Sequence, residues 1–126
     1  MSKKILVVED TEDNRQILRD LLGMAGYEMI EAHDGAEGVA QATEHRPDLI
    51  LMDIQMPVMD GYEATRRIKA DPALAAIPIV AVTSYALSGD EAKARAAGCD
   101  DYIAKPFSPR QMLAKVREIL GRGGES

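Results

Sequence analysis

Cysteine is nearly absent from this chain: Cys99 stands alone in 126 residues, so no internal disulfide can form and a reducing, cytoplasmic setting is expected. Long apolar runs are missing as well. After Lys3 and Lys4 the N-terminus offers only four consecutive apolar residues, short of the roughly 7–15 of a signal peptide, and no stretch approaches the roughly 20 of a membrane span. Basic residues are outnumbered by acidic ones, 15 against 21, for a formal charge of −6. That balance excludes nucleic-acid binding by this chain alone, because phosphate neutralisation needs clustered Lys and Arg. Neither GxxxxGK[ST] nor GxGxxG occurs, which removes the common nucleotide cradles. His33 and His45 have no partner at ligand spacing and Cys99 is single, so zinc is excluded too. Both histidines read as surface groups without an acidic partner. Proteins and cations are the partners left.

What is present suits one compact domain, with 46% of residues hydrophobic. Ile5 to Val8, Tyr27 to Ala32, Leu49 to Met52, Ile79 to Val82 and Asp101 to Ala104 read as strands. The first, third and fourth are continuously apolar, as strands buried on both faces are. Helical stripes lie between and after them: Ile17, Leu18, Leu21, Leu22 and Ala25, then Met112, Leu113, Val116, Ile119 and Leu120. Gly35 to His45 and Gly61 to Ala70 supply two more helices, and Ser88 to Ala97, fourth of the five in chain order, is mostly Ala and charge. Gly26, Gly98 and Gly121 mark helix ends. Five strands alternating with five helices predict a doubly wound α/β fold with a five-stranded parallel sheet and helices on both faces. The tail GRGGES reads as frayed.

Ligands of such sheets bind beyond the carboxyl ends of the strands, and polar residues follow the apolar runs directly there. Strand one leads into Glu9 and Asp10, strand three into Asp53, strand four into Thr83 and Ser84, strand five into Lys105 and Pro106. Carboxylates about 5 Å apart repel by roughly 3 kcal/mol per pair at an effective dielectric near 20. A divalent cation offsets that repulsion, and hard oxygen donors with few dedicated ligands suit Mg²⁺. A carboxylate beside a cation, an ammonium and a hydroxyl can attack a phosphoryl group, and Asp53, on the middle strand, is the nucleophile candidate. Glu9 and Asp10 are adjacent and point apart, so one binds metal directly and the other through water.

Each residue also has a plainer reading. Asp10 or Thr11 could cap the first helix, Asp53 a turn; Thr83 could be satisfied by backbone and Lys105 could be solvated surface. Their joint placement at four equivalent strand ends favours one shared site. In MPVMDGYEA, Pro57 limits the chain, Asp60 lies near a helix start and Gly61 supplies an unusual backbone angle. Lys105-Pro106 is a candidate cis peptide directing the lysine inward.

The segments VVEDTEDNRQIL, DLILMDIQMPVMDGYEATRRIK, PIVAVTSYA and DYIAKPF, in that order, resemble the receiver domain of two-component response regulators over essentially the whole chain, most of all the stand-alone, DivK-like type. The resemblance implies a flavodoxin-like, CheY-like (βα)5 fold with strand order 2-1-3-4-5, a receiver over residues 1–122, a disordered tail at 123–126 and no output domain. It implies that Asp53 accepts a phosphoryl group from a histidine kinase or histidine phosphotransfer protein. Mg²⁺, with Mn²⁺ as its substitute, is held by Asp10, Asp53 and the Gln55 main-chain carbonyl, with Glu9 acting through water. Thr83 and Lys105 contact the phosphoryl group, and Tyr102 swings inward with Thr83. The face of helix four, strand five and helix five then changes for downstream proteins, and the same face serves a monomer or weak dimer. Gln55 and Tyr85 hold the positions that tune the phosphoryl lifetime; a bulky Tyr85 implies slow self-dephosphorylation. Ser84, where many receivers carry Ala, is a departure that adds a hydroxyl.

Two alternatives share parts of this pattern. An Mg²⁺-dependent phosphatase using an aspartyl-phosphate intermediate places a second Asp two residues after the nucleophile, where this chain has Gln55. A flavodoxin-like cofactor binder needs a Ser/Thr-rich loop after strand one, where this chain has Glu9, Asp10, Glu12 and Asp13.

Overall fold

The structure is a computed structural model that describes residues 3–54, 59–83, 90–105 and 107–124. Its elements alternate: β1 (Lys4–Val8), α1 (Glu12–Met24), β2 (Glu28–Ala32), α2 (Gly35–His45), β3 (Leu49–Asp53), α3 (Gly61–Ala70), β4 (Ile79–Thr83), α4 (Asp90–Ala97), β5 (Asp101–Ala104) and α5 (Pro109–Gly124). The five strands form one parallel sheet in the order β2-β1-β3-β4-β5, as the alternation of apolar runs predicts. β3 and β4 are buried throughout and β1 in all but Lys4, whereas the edge strands β2 and β5 are half-buried. Central strands covered on both faces are continuously apolar for that reason.

Side chains alternate between the two faces of a strand, and the sheet separates two apolar clusters accordingly. Ile5, Val7, Leu49, Leu51, Val80, Val82 and Ile103 pack with Leu18 and Leu22 of α1 and Met112, Val116 and Ile119 of α5. Leu6, Val8, Ile50, Met52, Ile79 and Ala81 pack with Ala42 of α2, Ala64 and Ile68 of α3 and Ala94 of α4. That parity decides which side each strand-end residue faces.

The starts of α2, α3 and α5 carry side-chain caps. Asp34 Oδ1 accepts from Glu37 N at 2.8 Å and Asp60 Oδ1 from Glu63 N at 2.9 Å. Ser108 and Gln111 form a reciprocal box, Gln111 N donating to Ser108 Oγ and Ser108 N to Gln111 Oε1. Gly26 and Gly98 follow α1 and α4 with φ of 89° and 112°, the left-handed conformation that closes a helix.

Three expectations are corrected. Ile17, assigned to the apolar stripe of α1, is 57% exposed; the buried stripe is Arg15, Leu18 and Leu22. Gly121 does not end α5, which continues to Gly124 and so takes in residues 123 and 124 of the expected tail. A glycine stops a helix by turning left-handed, and Gly121 does not. Gly61 has no positive φ either. It is needed for space, because a Cβ there would collide with the Asp53 carbonyl and the Ile54 Cα.

Candidate functional site

Glu9 and Lys105 lie one residue beyond β1 and β5, yet both remain in the ladder: Glu9 N donates to Ala32 O at 3.0 Å and Lys105 N to Thr83 O at 2.7 Å. Alternation therefore still governs them, and Glu9, Asp53 and Lys105 continue the parity of Val7, Leu51 and Ile103, on the α1/α5 side. Thr83 and Tyr102 share the parity of Ala81, on the α4 side, where Tyr102 packs against the core cluster. The sheet thus brings the acids and the lysine together and sets the hydroxyl and the aromatic on the opposite face.

The acids converge closely. Glu9, Asp10 and Asp53 each offer a carboxylate oxygen within 4.8 Å of the others; Glu9 and Asp53 are buried and Asp10 is exposed. Lys105 Nζ stands 3.2 Å from Glu9 Oε1 and 3.5 Å from Asp53 Oδ2. Thr83 is buried at the end of β4, the strand beside Asp53 in register. A cavity of about 480 Å³ opens alongside, lined by Glu9, Asn14, Asp53, Lys105 and apolar groups that include Ile17 and Phe107.

Burial, followed by the hydrogen bond to Asp53 and the Asp53 charge, pushes the Glu9 carboxyl above its usual range, against the opposing pull of Asn14 and Lys105. Three carboxylates with one ammonium leave the pocket short of positive charge. The donors are all hard oxygens, and their spacing suits an ion with metal–oxygen bonds of about 2.1 Å that keeps part of its water shell. The residues fit Mg²⁺.

Thr11 is the N-cap of α1, but its side chain makes no capping bond, and Asp10 belongs to the acid cluster, so the capping alternative for this pair does not hold. Gln55, with its carbonyl and lifetime roles, and Ser84, Tyr85 and the Lys105-Pro106 peptide involve positions outside the described residues. The histidines are surface groups as expected, yet each has an acidic partner, His33 Nδ1 lying 2.9 Å from Glu37 Oε1 and His45 Nε2 3.9 Å from Glu44 Oε2. Reading from sequence missed two groups, Asn14 and Arg15. Asn14 Nδ2 donates to Glu9 Oε1 at 2.5 Å and Arg15 Nη1 to the Glu9 carbonyl at 2.6 Å. The signal for Arg15 was its spacing, three and seven residues before Leu18 and Leu22 on the buried stripe.

Comparison with known proteins places this geometry among others. The family described as the response regulator receiver domain matches residues 5–117. The polar-differentiation response regulator DivK of Brucella anthropi is 46% identical over 121 residues, covering 96% of this chain and 98% of that protein, and DivK of Brucella ovis is 45% identical over the same coverage. Among solved structures, the receiver domain of a Pseudomonas aeruginosa sensor histidine kinase, with a magnesium ion coordinated in its active-site cleft, has a TM-score of 0.90 at 38% identity, covering 96% of this chain and 99% of its own. Vibrio cholerae CheY4 has a TM-score of 0.90 at 31% identity, covering 94% and 99%. No helix among the described residues is long and apolar enough to cross a membrane.

Proposed function

Because this chain belongs to the response regulator receiver family, and so to the phosphorelay signalling domains that work with histidine kinases and downstream targets, we propose that Asp53 is its phosphoacceptor and that the surrounding pocket is its phosphoryl-transfer site. The supporting observation is the convergence of Glu9, Asp10 and Asp53 oxygens within 4.8 Å, beside Lys105. The family is neither of the two alternatives, phosphatase or flavodoxin.

An Asp53 carboxylate oxygen attacks the phosphorus of a phosphohistidine whose other ring nitrogen is protonated, the P–N bond breaks with its electron pair going to the ring nitrogen, and the donor leaves as neutral imidazole. Asp10, Asp53 and the Gln55 main-chain carbonyl would hold Mg²⁺ directly, and Glu9 through water. When bound, the cation neutralises charge on the transferring phosphoryl oxygens. Lys105, already beside Asp53, pairs with the phosphoryl group in the same sense. The protein promotes only its own phosphorylation and dephosphorylation, with Gln55 and Tyr85 setting the lifetime.

Thr83 turns to the phosphoryl group and Tyr102, which shares its face of the sheet, fills the space it leaves. The resulting change at α4, β5 and α5 is read by downstream proteins, with the chain as a monomer or weak dimer in the cytoplasm. Residues 1–122 act as the receiver. A modification shifts such an equilibrium only by interacting differently with its two states, and Thr83 and Lys105 supply that difference. Thr83→Ala is therefore expected to accept the phosphoryl group normally while its partner affinity no longer depends on phosphorylation; equal phosphorylation-dependent gains in both proteins contradict the role.

Incubation with Mg²⁺ and acetyl phosphate tests the acceptor chemistry by intact mass. A hydroxylamine-sensitive gain of one phosphoryl group, lost with EDTA and in Asp53→Asn, supports the reading. The same gain in Asp53→Asn would refute it.

A further inference from the structure

We propose that Arg15 is a positioning residue for the acidic pocket. It acts through Glu9, fixing the main chain where β1 passes into α1 so that the Glu9 and Asp10 carboxylates converge with that of Asp53. The inference rests on the reading of that pocket as a cation site.

Arg15 is 4% exposed, on the apolar stripe of α1 beside Leu18 and Leu22. Its guanidinium makes three contacts. Nη1 donates to the Glu9 carbonyl at 2.6 Å, Nη2 to Glu12 Oε2 at 2.6 Å, and Nε lies 3.3 Å from Glu31 Oε1. The last is an ion-pair distance without a hydrogen bond, and Arg15 Nε is the buried side-chain polar atom left without one among the described residues. Burying an incompletely satisfied guanidinium costs stability. A leucine on the same stripe would pack without that penalty, so helix packing does not explain an arginine here.

The Glu9 carbonyl does. Glu9 N is still in the strand ladder, bonded to Ala32 O, while Glu9 O is taken by Arg15. The direction of that peptide sets where Asp10 begins, and Asp10 N returns a bond to Glu9 Oε2 at 3.1 Å. Beside Arg15, Asn14 holds Glu9 Oε1 at 2.5 Å. The first turns of α1 thus grip Glu9 by main chain and side chain together, and Glu12 and Glu31 orient the guanidinium from α1 and β2.

Charge alone predicts the opposite sign from positioning. Arg15 is a cation near a cation site, and removing it takes one positive charge away while Glu12 and Glu31 keep only Arg19 as partner, so an electrostatic role makes Mg²⁺ bind more tightly to Arg15→Met. A positioning role makes it bind more weakly. Outer groups that orient metal ligands change affinity by about 10–100-fold when removed.

Isothermal titration with MgCl₂ at fixed ionic strength separates these roles in wild type and Arg15→Met, with thermal unfolding in EDTA alongside. Mg²⁺ affinity about tenfold weaker in folded Arg15→Met supports the inference. Affinity within about twofold of wild type, or tighter, overturns it even if the melting temperature falls, since a merely structural role moves only the latter. If Arg15→Met does not fold, Arg15→Lys gives the answer, because it keeps the charge and most of the stem but loses the fork. Weaker Mg²⁺ binding there by about threefold or more supports the inference, and any smaller change overturns it. A wild-type chain with no Mg²⁺ affinity removes the cation reading and this inference with it; wild-type binding with unchanged variants removes the inference alone.

Discussion

Glu9 carries its carboxyl where water hardly reaches, 3% exposed and beside a second buried acid. Burial first, then Asp53, raises its pKa above the ordinary 4.5. A carboxyl whose folded pKa is raised contributes stability that is fully present below the unfolded value and is lost as pH rises through the folded one. The Arg19 hydrogen bond holds Glu31 below its ordinary range, with the opposite sign: stability present above the unfolded value, lost as pH falls. Only a comparison at Glu9 separates the two. In EDTA, Glu9→Gln is expected to be more stable than wild type at neutral pH, the gap closing as acidification approaches the ordinary value of 4.5; urea midpoints measured across that range check it. A gap that widens on acidification contradicts the account.

At the scale of elements, the helix ends place the site. The start of α3 lies against the end of β3, with Gly61 N donating to Ile54 O at 3.1 Å and no room for a Cβ beside the Asp53 carbonyl. Gly61→Ala should cost about 1–3 kcal/mol, the usual range for overpacking, and slow phosphorylation as Asp53 is pushed aside; urea unfolding and the phosphorylation rate measure the two effects. Arg46 caps α2 in the left-handed region, φ 46°. A non-glycine residue there costs about 1–2 kcal/mol, partly regained by the flexibility glycine adds to the unfolded chain. Arg46→Gly should therefore raise stability by roughly 0.5–1 kcal/mol, read from urea midpoints, with phosphorylation unchanged.

The element order and the acid cluster were both legible in the sequence, for one reason. Central strands buried on both faces must be apolar until they end, so the residues that break the run at Glu9 and Asp53 mark the sheet's edge. The strand at Glu28 to Ala32 was also readable, but as an edge it carries Glu28 and Glu31. Less legible was anything set by spacing in three dimensions. Arg15 was hidden because a charged side chain on a helix is ordinarily solvated, and Ile17 was misplaced because an apolar side chain at helical spacing is ordinarily core. The need for Gly61 was visible, though its cause is a neighbouring carbonyl and not a backbone angle.

For the whole molecule, the fold mounts mutually repelling acids on rigid strand ends, and a cation should stabilise it. Mg²⁺ at about 100 times its dissociation constant is expected to add about 2.7 kcal/mol, seen as a higher melting temperature that EDTA reverses. No change in melting temperature at any Mg²⁺ concentration would count against the pocket as a metal site. The central claim is narrower: of all the acids in this chain, Asp53 takes the phosphoryl group. Borohydride reduction of the protein phosphorylated in Mg²⁺, followed by peptide mass mapping, reads that position directly, because only an acyl phosphate is reduced to the alcohol. The account predicts the reduced residue at position 53 and nowhere else, and none in EDTA. Reduction at Glu9 or Asp10 instead, or at position 53 without Mg²⁺, would contradict it.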